Sequence, residues 1–234
     1  DTAQYFIDMD VKGYILGVAW ILIVGYLLDN GIYEHSYGNR LRKNLIKENG
    51  KPDFSPYLFE PYFQQYESWR DKALNLAKEA LNREQDVVVL TLDFKRFFYH
   101  VNIGDTQLTE IVERLFNNQT KTEYSDLVKP LTNFVNGIIK NYSLRLEKFE
   151  SCNNRRVLPI GFAPSNIIAN YCLKEFDDAI IAGWNPIYYG RYVDDIIIVD
   201  KVEKNSLISS KACKNELQAE HLINYYLLTN EAWD

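Results

Sequence analysis

Three aspartates stand where carboxylates could act together on a phosphate. Asp93 closes a run of β-branched and aliphatic residues that begins at Val87 (VVVLTLD), and the pair Asp194-Asp195 interrupts a second such region at 187–199 (IYYGRYVDDIIIV). Moving a phosphoryl group onto a hydroxyl requires a deprotonated nucleophile and a stabilised leaving group, and two metal ions about 4 Å apart serve both ends. Magnesium takes hard oxygen ligands and keeps several waters, so two or three protein carboxylates on rigid strands suffice to hold it. Neighbouring side chains on an extended strand point to opposite faces, so Asp194 and Asp195 cannot both be central ligands without a turn. Asp194 is therefore assigned as the main metal ligand beside Asp93, and Asp195 as a supporting one. Two Mg2+ ions, or Mn2+ in their place, are the expected cofactor. An Asp-Asp pair is also ordinary turn chemistry, so the order and context of the surrounding segments decide between the two readings.

The elements that must position these acids are legible from their periods. The uninterrupted run ending at Asp93 predicts a buried central strand, and 187–199 predicts a hairpin with the two acids at its tip. Between and around them, helical spacing predicts a helix through Phe63, Tyr66, Ala73, Ala77 and Ala80, and others at 106–116, 124–142, 164–182 and 206–228. Pro164 suits the first turn of its helix. The polar segment 147–156 reads as a loop, as does the stretch holding Pro52, Pro56 and Pro61. With no repeat and no Gly/Ser-rich linker, the chain reads as one continuous unit. The element order implies an α+β fold, with a ferredoxin-like antiparallel sheet carrying helices on one face.

Leu92-Asp93-Phe94-Lys95-Arg96-Phe97-Phe98, then Leu158-Pro159-Ile160-Gly161-Phe162-Ala163-Pro164-Ser165-Asn166 with Ala169-Asn170, then Tyr188-Tyr189-Gly190-Arg191-Tyr192-Val193-Asp194-Asp195 resemble, in order, three polymerase motifs of reverse transcriptases. With Ser36-Tyr37-Gly38-Asn39-Arg40 upstream, the chain is most similar to the bacterial abortive-infection and defence-associated members. The resemblance implies the fingers and palm of a right-hand polymerase, with mostly helical fingers at 1–86, a palm at 87–234 carrying a helical insertion at 101–157, and a thumb outside this chain. It implies RNA-directed or template-independent DNA synthesis in anti-phage defence, with deoxynucleotides and RNA or DNA as partners. Phe98, five positions after Asp93, falls where the family places a steric gate against the ribose 2′-hydroxyl. Gly161 and Ser165 lie in the segment leading into the helix under the templating base pair, and Tyr192 opens the third motif. Arg40, Arg70 and Lys72 are the candidates for contacts to the triphosphate. Members that copy templates often carry Gln where this chain has Ile160, which leaves templated and untemplated synthesis both open. Two alternatives stand beside this reading: a protein-primed nucleotidyltransferase, with one of 17 tyrosines supplying the hydroxyl, and a catalytically inactive scaffold of the same fold.

Composition bounds these readings. A chain of 234 residues with 47% apolar content can bury a real core. Its net charge of −6 lacks the basic excess common in nucleic-acid binders, so basic contacts must be local, as in 40–51 (RLRKNLIKENGK). Cys152, Cys172 and Cys213 show no CxxC spacing, which argues against a disulfide framework or a zinc site and for a reducing, cytoplasmic compartment. His35, His100 and His221 are too scattered to suggest a histidine-built metal site. The uncharged run at 13–28 is shorter than the roughly 18–20 residues a span needs, so it predicts a buried helix and no membrane contact. No basic segment and cleavage site precede it, as a signal peptide would require. A chain opening on Asp1 and ending at Asp234 soon after its strongest motif reads as a piece of a longer protein, with any self-association through regions outside it.

Overall fold

A computed structural model describes residues 3–43, 57–104, 106–117, 124–153, 155–204 and 206–228. Lys47 and Lys51 of the basic cluster, and Pro52 and Pro56, lie outside these residues. In chain order the elements are α1 (Val11–Trp20), α2 (Tyr26–Asn30), α3 (Tyr62–Asn82), β1 (Val87–Asp93), α4 (Phe97–His100), α5 (Gln107–Asn117), α6 (Ser125–Leu146), α7 (Ala163–Cys172), α8 (Lys174–Ala179), β2 (Tyr188–Tyr192), β3 (Asp195–Lys201), α9 (Leu207–Cys213) and α10 (Ala219–Leu222). Residue contacts divide the chain into two compact units. One holds Asp1–Ile32, Asn39–Glu60 and Lys95–Cys172, and the other holds Tyr33–Gly38, Pro61–Phe94 and Leu173–Asp234. The absence of a linker in the sequence is thus compatible with two units, because each is assembled from three separate stretches.

The first unit is helical. A π-helical turn, Ile21–Gly25, joins α1 to α2, so that Val11–Asn30 forms one continuous helix. Asp10 starts it by accepting a hydrogen bond from the Lys12 amide at 2.8 Å. At 20 residues the helix is long and apolar enough to cross a membrane by length and composition, which corrects the length argument drawn from the sixteen uncharged residues alone. Its surroundings are those of a core helix. Trp20, Ile21, Val24, Leu27 and Leu28 are buried, the helix packs on α6 and α7, and the Trp20 indole donates to Thr132 Oγ1 at 3.2 Å. The approach to α7 is close. A Cβ on Gly17 would lie 2.7 Å from the Phe162 ring and 3.3 Å from Pro164 Cδ. Gly17→Ala is therefore expected to destabilise the protein despite alanine's better helix propensity, since overpacking a core costs about 1–3 kcal/mol against a gain of about 1. A melting temperature lower by roughly 2–4 °C, read by circular dichroism, is the expected result.

The second unit is built on a three-stranded antiparallel sheet in the order β1-β3-β2. β1 has the bounds its apolar run predicted, but it is an edge strand and not the central one. Val89, Thr91 and Asp93 are exposed along it, while Ile198 and Val199 of the central β3 are wholly buried. The helices also differ from the one-face expectation, because they cover both faces. Ile197 and Val199 pack with Trp69, Ala73 and Ala77 of α3. Ile196 and Ile198, which alternate to the opposite face, pack with Ile180 and Phe176 at α8. Two predicted helices are interrupted. The one at 164–182 breaks at Leu173, where α7 ends in one unit and α8 begins in the other. The one at 206–228 breaks at 214–218, between α9 and α10.

Candidate active site

Sheet register brings two of the predicted acids together. Asp93 at the end of β1 pairs directly with Asp195 at the start of β3, and residues opposed across an antiparallel ladder present their side chains to the same face. Tyr192, the last residue of β2, pairs with Asp195 from the other side. Asp194 lies in the two-residue turn between the strands, and its carbonyl accepts from the Phe94 amide at 3.3 Å, tying the turn to the end of β1. The acids are therefore split between turn and strand: Asp195 is a ladder residue, and only Asp194 is at the tip. Val193 before it has φ +58°, the left-handed region, which lets the chain reverse direction within two residues.

Burial raises the Asp194 carboxyl above the usual range, the charges of Asp195 and Asp93 raise it further, and Arg191 acts in the opposite direction. Asp195 is raised by burial and then by Asp93. Three carboxylates that repel one another in a partly buried place suit a hard divalent cation, which would relieve that repulsion. Among the described residues, however, no three His, Cys, Asp or Glu side chains are gathered closely enough to hold a metal ion. The two observations agree if the acids form an open set and not a closed cage, the kind that suits an ion keeping waters and substrate oxygens in its shell. Cys152, Cys172 and Cys213 are free cysteines, buried, half-buried and exposed in that order.

Of the other residues singled out by sequence, Tyr192, Arg70 and Lys72 belong to this unit. Tyr192 is half-buried, with its ring edge-on to Tyr62 and Tyr66 at 5.5 Å from each, and burial pushes its phenol up to about 12. Arg70 is exposed on α3 and bonds Asp71 at 2.8 Å. Lys72 Nζ lies 3.1 Å from Nε2 of His35. Phe98, Gly161, Ser165 and Arg40 belong to the helical unit. There Phe97 is buried while Phe98 is only partly so, and the Phe98 carbonyl accepts from the Leu158 amide at 3.0 Å. Gly161 has φ +87° in the turn before α7. The Ser165 side chain is wholly buried, and its hydroxyl has no hydrogen-bond partner among the described residues. Arg40 is held by Asp29 at the end of α2, with Nε on Oδ1 at 3.0 Å and Nη2 on the Asp29 carbonyl at 2.9 Å.

Sequence reasoning passed over Asp177 and gave Arg191 no role beyond its motif. Both side chains are wholly buried and form a two-pronged ion pair. A signal was present: Arg191 falls at an inward position of β2, two residues after Tyr189, and a charge there demands a partner.

Comparison with curated proteins and with solved structures gives no match. Residues 37–224, well over half of the chain, match the family model described as reverse transcriptase (RNA-dependent DNA polymerase), and that stretch contains β1 with Asp93, the hairpin with Asp194 and Asp195, and the segment 158–170 between them. By this match, the chain belongs to the reverse transcriptase family.

Proposed function

We propose that the chain catalyses metal-dependent addition of deoxynucleotides to a 3′-hydroxyl, with Asp93, Asp194 and Asp195 holding two Mg2+ ions, for which Mn2+ can substitute. The observation that carries the reading is the register pairing of Asp93 with Asp195 beside the Asp194 turn, within a chain of a family whose members bind nucleic-acid templates and deoxynucleotides. Bound there, the ions would activate the attacking hydroxyl and neutralise charge on the leaving pyrophosphate. The protein's part is to hold three carboxylates on a rigid ladder and turn, so that they need no reorganisation during reaction. Residues 87–234 would serve as palm and 1–86 as fingers, with Tyr192, paired to Asp195 across the ladder, on the substrate side. The likeness of Ser36-Tyr37-Gly38-Asn39-Arg40 and of the third motif to defence-associated members supports a cytoplasmic role in bacterial anti-phage defence of the abortive-infection type.

The test is incorporation of labelled deoxynucleotides by the intact protein, with Mg2+ or excess chelator, on primed homopolymer templates and without any template. Product that needs the metal is expected, and its absence under all conditions overturns the reading. Product that follows the template base marks copying, and equal product without template marks untemplated extension, the outcome that Ile160 leaves open.

Phe98 supplies a separate check. Its partly exposed ring, beside the buried Phe97, fits a gate more than a core residue. Phe98→Ala is expected to raise ribonucleotide over deoxynucleotide use by at least about tenfold, the effect of losing one well-placed steric contact. The ratio of kcat/KM values for the two sugars measures it, and an unchanged ratio removes Phe98 from that role.

A further inference from the structure

Arg191 is among the largest wholly buried side chains described, and a buried guanidinium is costly unless its charge is met. It pairs with Ile196 across the ladder and shares a sheet face with Tyr189, which packs with Ile180, Ile196 and Ile198. Asp177 on α8 accepts from Arg191 Nε at 2.9 Å and Nη2 at 2.8 Å, and from the Tyr189 hydroxyl at 2.5 Å. The other prong of the fork, Nη1, donates to the Val193 carbonyl at 2.8 Å. That carbonyl belongs to the peptide joining Val193 to Asp194.

Val193 has φ +58°, a conformation a β-branched residue keeps only where its surroundings hold it. Two contacts do so. Arg191 holds the carbonyl, and Gly38 backs the amide side, where a Cβ would come within 2.6 Å of Val193 Cγ2 and 2.8 Å of Val193 N. Gly38 is itself placed by the strand-like segment before it, since the Arg191 amide donates to the His35 carbonyl at 2.9 Å and the Tyr37 amide to the Arg191 carbonyl at 2.8 Å.

We infer that the buried Asp177–Arg191 pair positions the turn: through Nη1 on the Val193 carbonyl it holds Val193 left-handed and so fixes where Asp194 presents its carboxylate. Asp177 and Arg191 are positioning residues, and the inference rests on Asp194 being the acid that the proposed function requires. Stability alone does not account for the pair. Apolar side chains of similar volume are commonly as stable or more so at such sites, but none could hold that carbonyl.

The test measures incorporation rate and melting temperature for intact protein variants, with Asp194→Asn as the reference for lost activity. Arg191→Lys keeps the charge beside Asp177 and loses the fork, and it is expected to lower kcat by about 10²-fold, the scale for displacing a catalytic group by an ångström. Adding Val193→Gly, which takes the left-handed conformation without cost, is expected to recover about tenfold of that loss. A role confined to stability would show no such rescue. Asp177→Leu with Arg191→Met serves where Arg191→Lys folds poorly; it is expected to melt no lower than the parent, to lose kcat similarly and to be rescued by the same glycine. A folded double variant within about twofold of parental activity, or no gain from Val193→Gly in either background, overturns the positioning and leaves the function standing. An active Asp194→Asn protein overturns both.

Discussion

Asp194→Asn is expected to abolish metal-dependent nucleotide incorporation, by about 10³-fold or more, while leaving the fold intact. Asparagine keeps the shape of the side chain and loses its charge, so the turn and the Phe94 amide contact to the residue 194 carbonyl should survive. Folding should even gain slightly at neutral pH. Burial, then the charges of Asp195 and Asp93, raise the Asp194 carboxyl in the folded state. A carboxyl raised in the folded state contributes stability that is fully present below its unfolded pKa and is lost as pH rises through the folded value. At neutral pH the charged Asp194 is therefore a burden on the metal-free protein, and the substitution removes it. Two measurements follow. Melting of the metal-free parent should fall as pH rises from the acid range through the raised Asp194 value, by more than in Asp194→Asn. Added Mg2+ should raise the melting temperature of the parent more than that of the variant, by ligand linkage to the folded state. Undiminished incorporation by Asp194→Asn removes the acid from the chemistry.

The sequence carried local features further than neighbour relations. β1 is where VVVLTLD placed it because seven residues without a breaker admit one extended segment, yet the same run looks alike at the centre or edge of a sheet. What made β3 central was its pairing with both other strands, a non-local fact. Coverage of both faces escaped notice for a related reason: α3 precedes the first strand by sequence and α8 follows after some eighty residues, and nothing local says which face each takes. The break at Leu173 lies between apolar stretches whose spacing suits one helix, so only the division into units reveals it. The candidate site was legible in its three acids because each sits at a strand end or turn. Its support was not, because Asp177 and Arg191 meet across fourteen positions through the fold, and Asp177 by itself reads as one more charge beside Asp178.

Asp177→Ala is expected to be among the most damaging single changes to stability, at about 3–5 kcal/mol, or a melting temperature lower by roughly 10 °C for a chain of this size. It leaves the Arg191 charge wholly buried opposite Ile196 and strips the Tyr189 hydroxyl of its acceptor. Lys174→Ala on the same helix is the matched control. It removes the ion pair of Lys174 with Asp178, whose side chains are 37% and 59% exposed, and water already solvates both charges, so about 0.3–0.5 kcal/mol is at stake. The two variants each delete one ion pair from α8, and they differ in whether a charge is left stranded out of water. A large loss in Asp177→Ala beside a negligible one in Lys174→Ala, by thermal or urea melting, assigns the cost to the orphaned guanidinium. Equal losses would mean that the charge finds water when its partner goes, and then the interior beside β2 is not sealed as the wholly buried Arg191 requires.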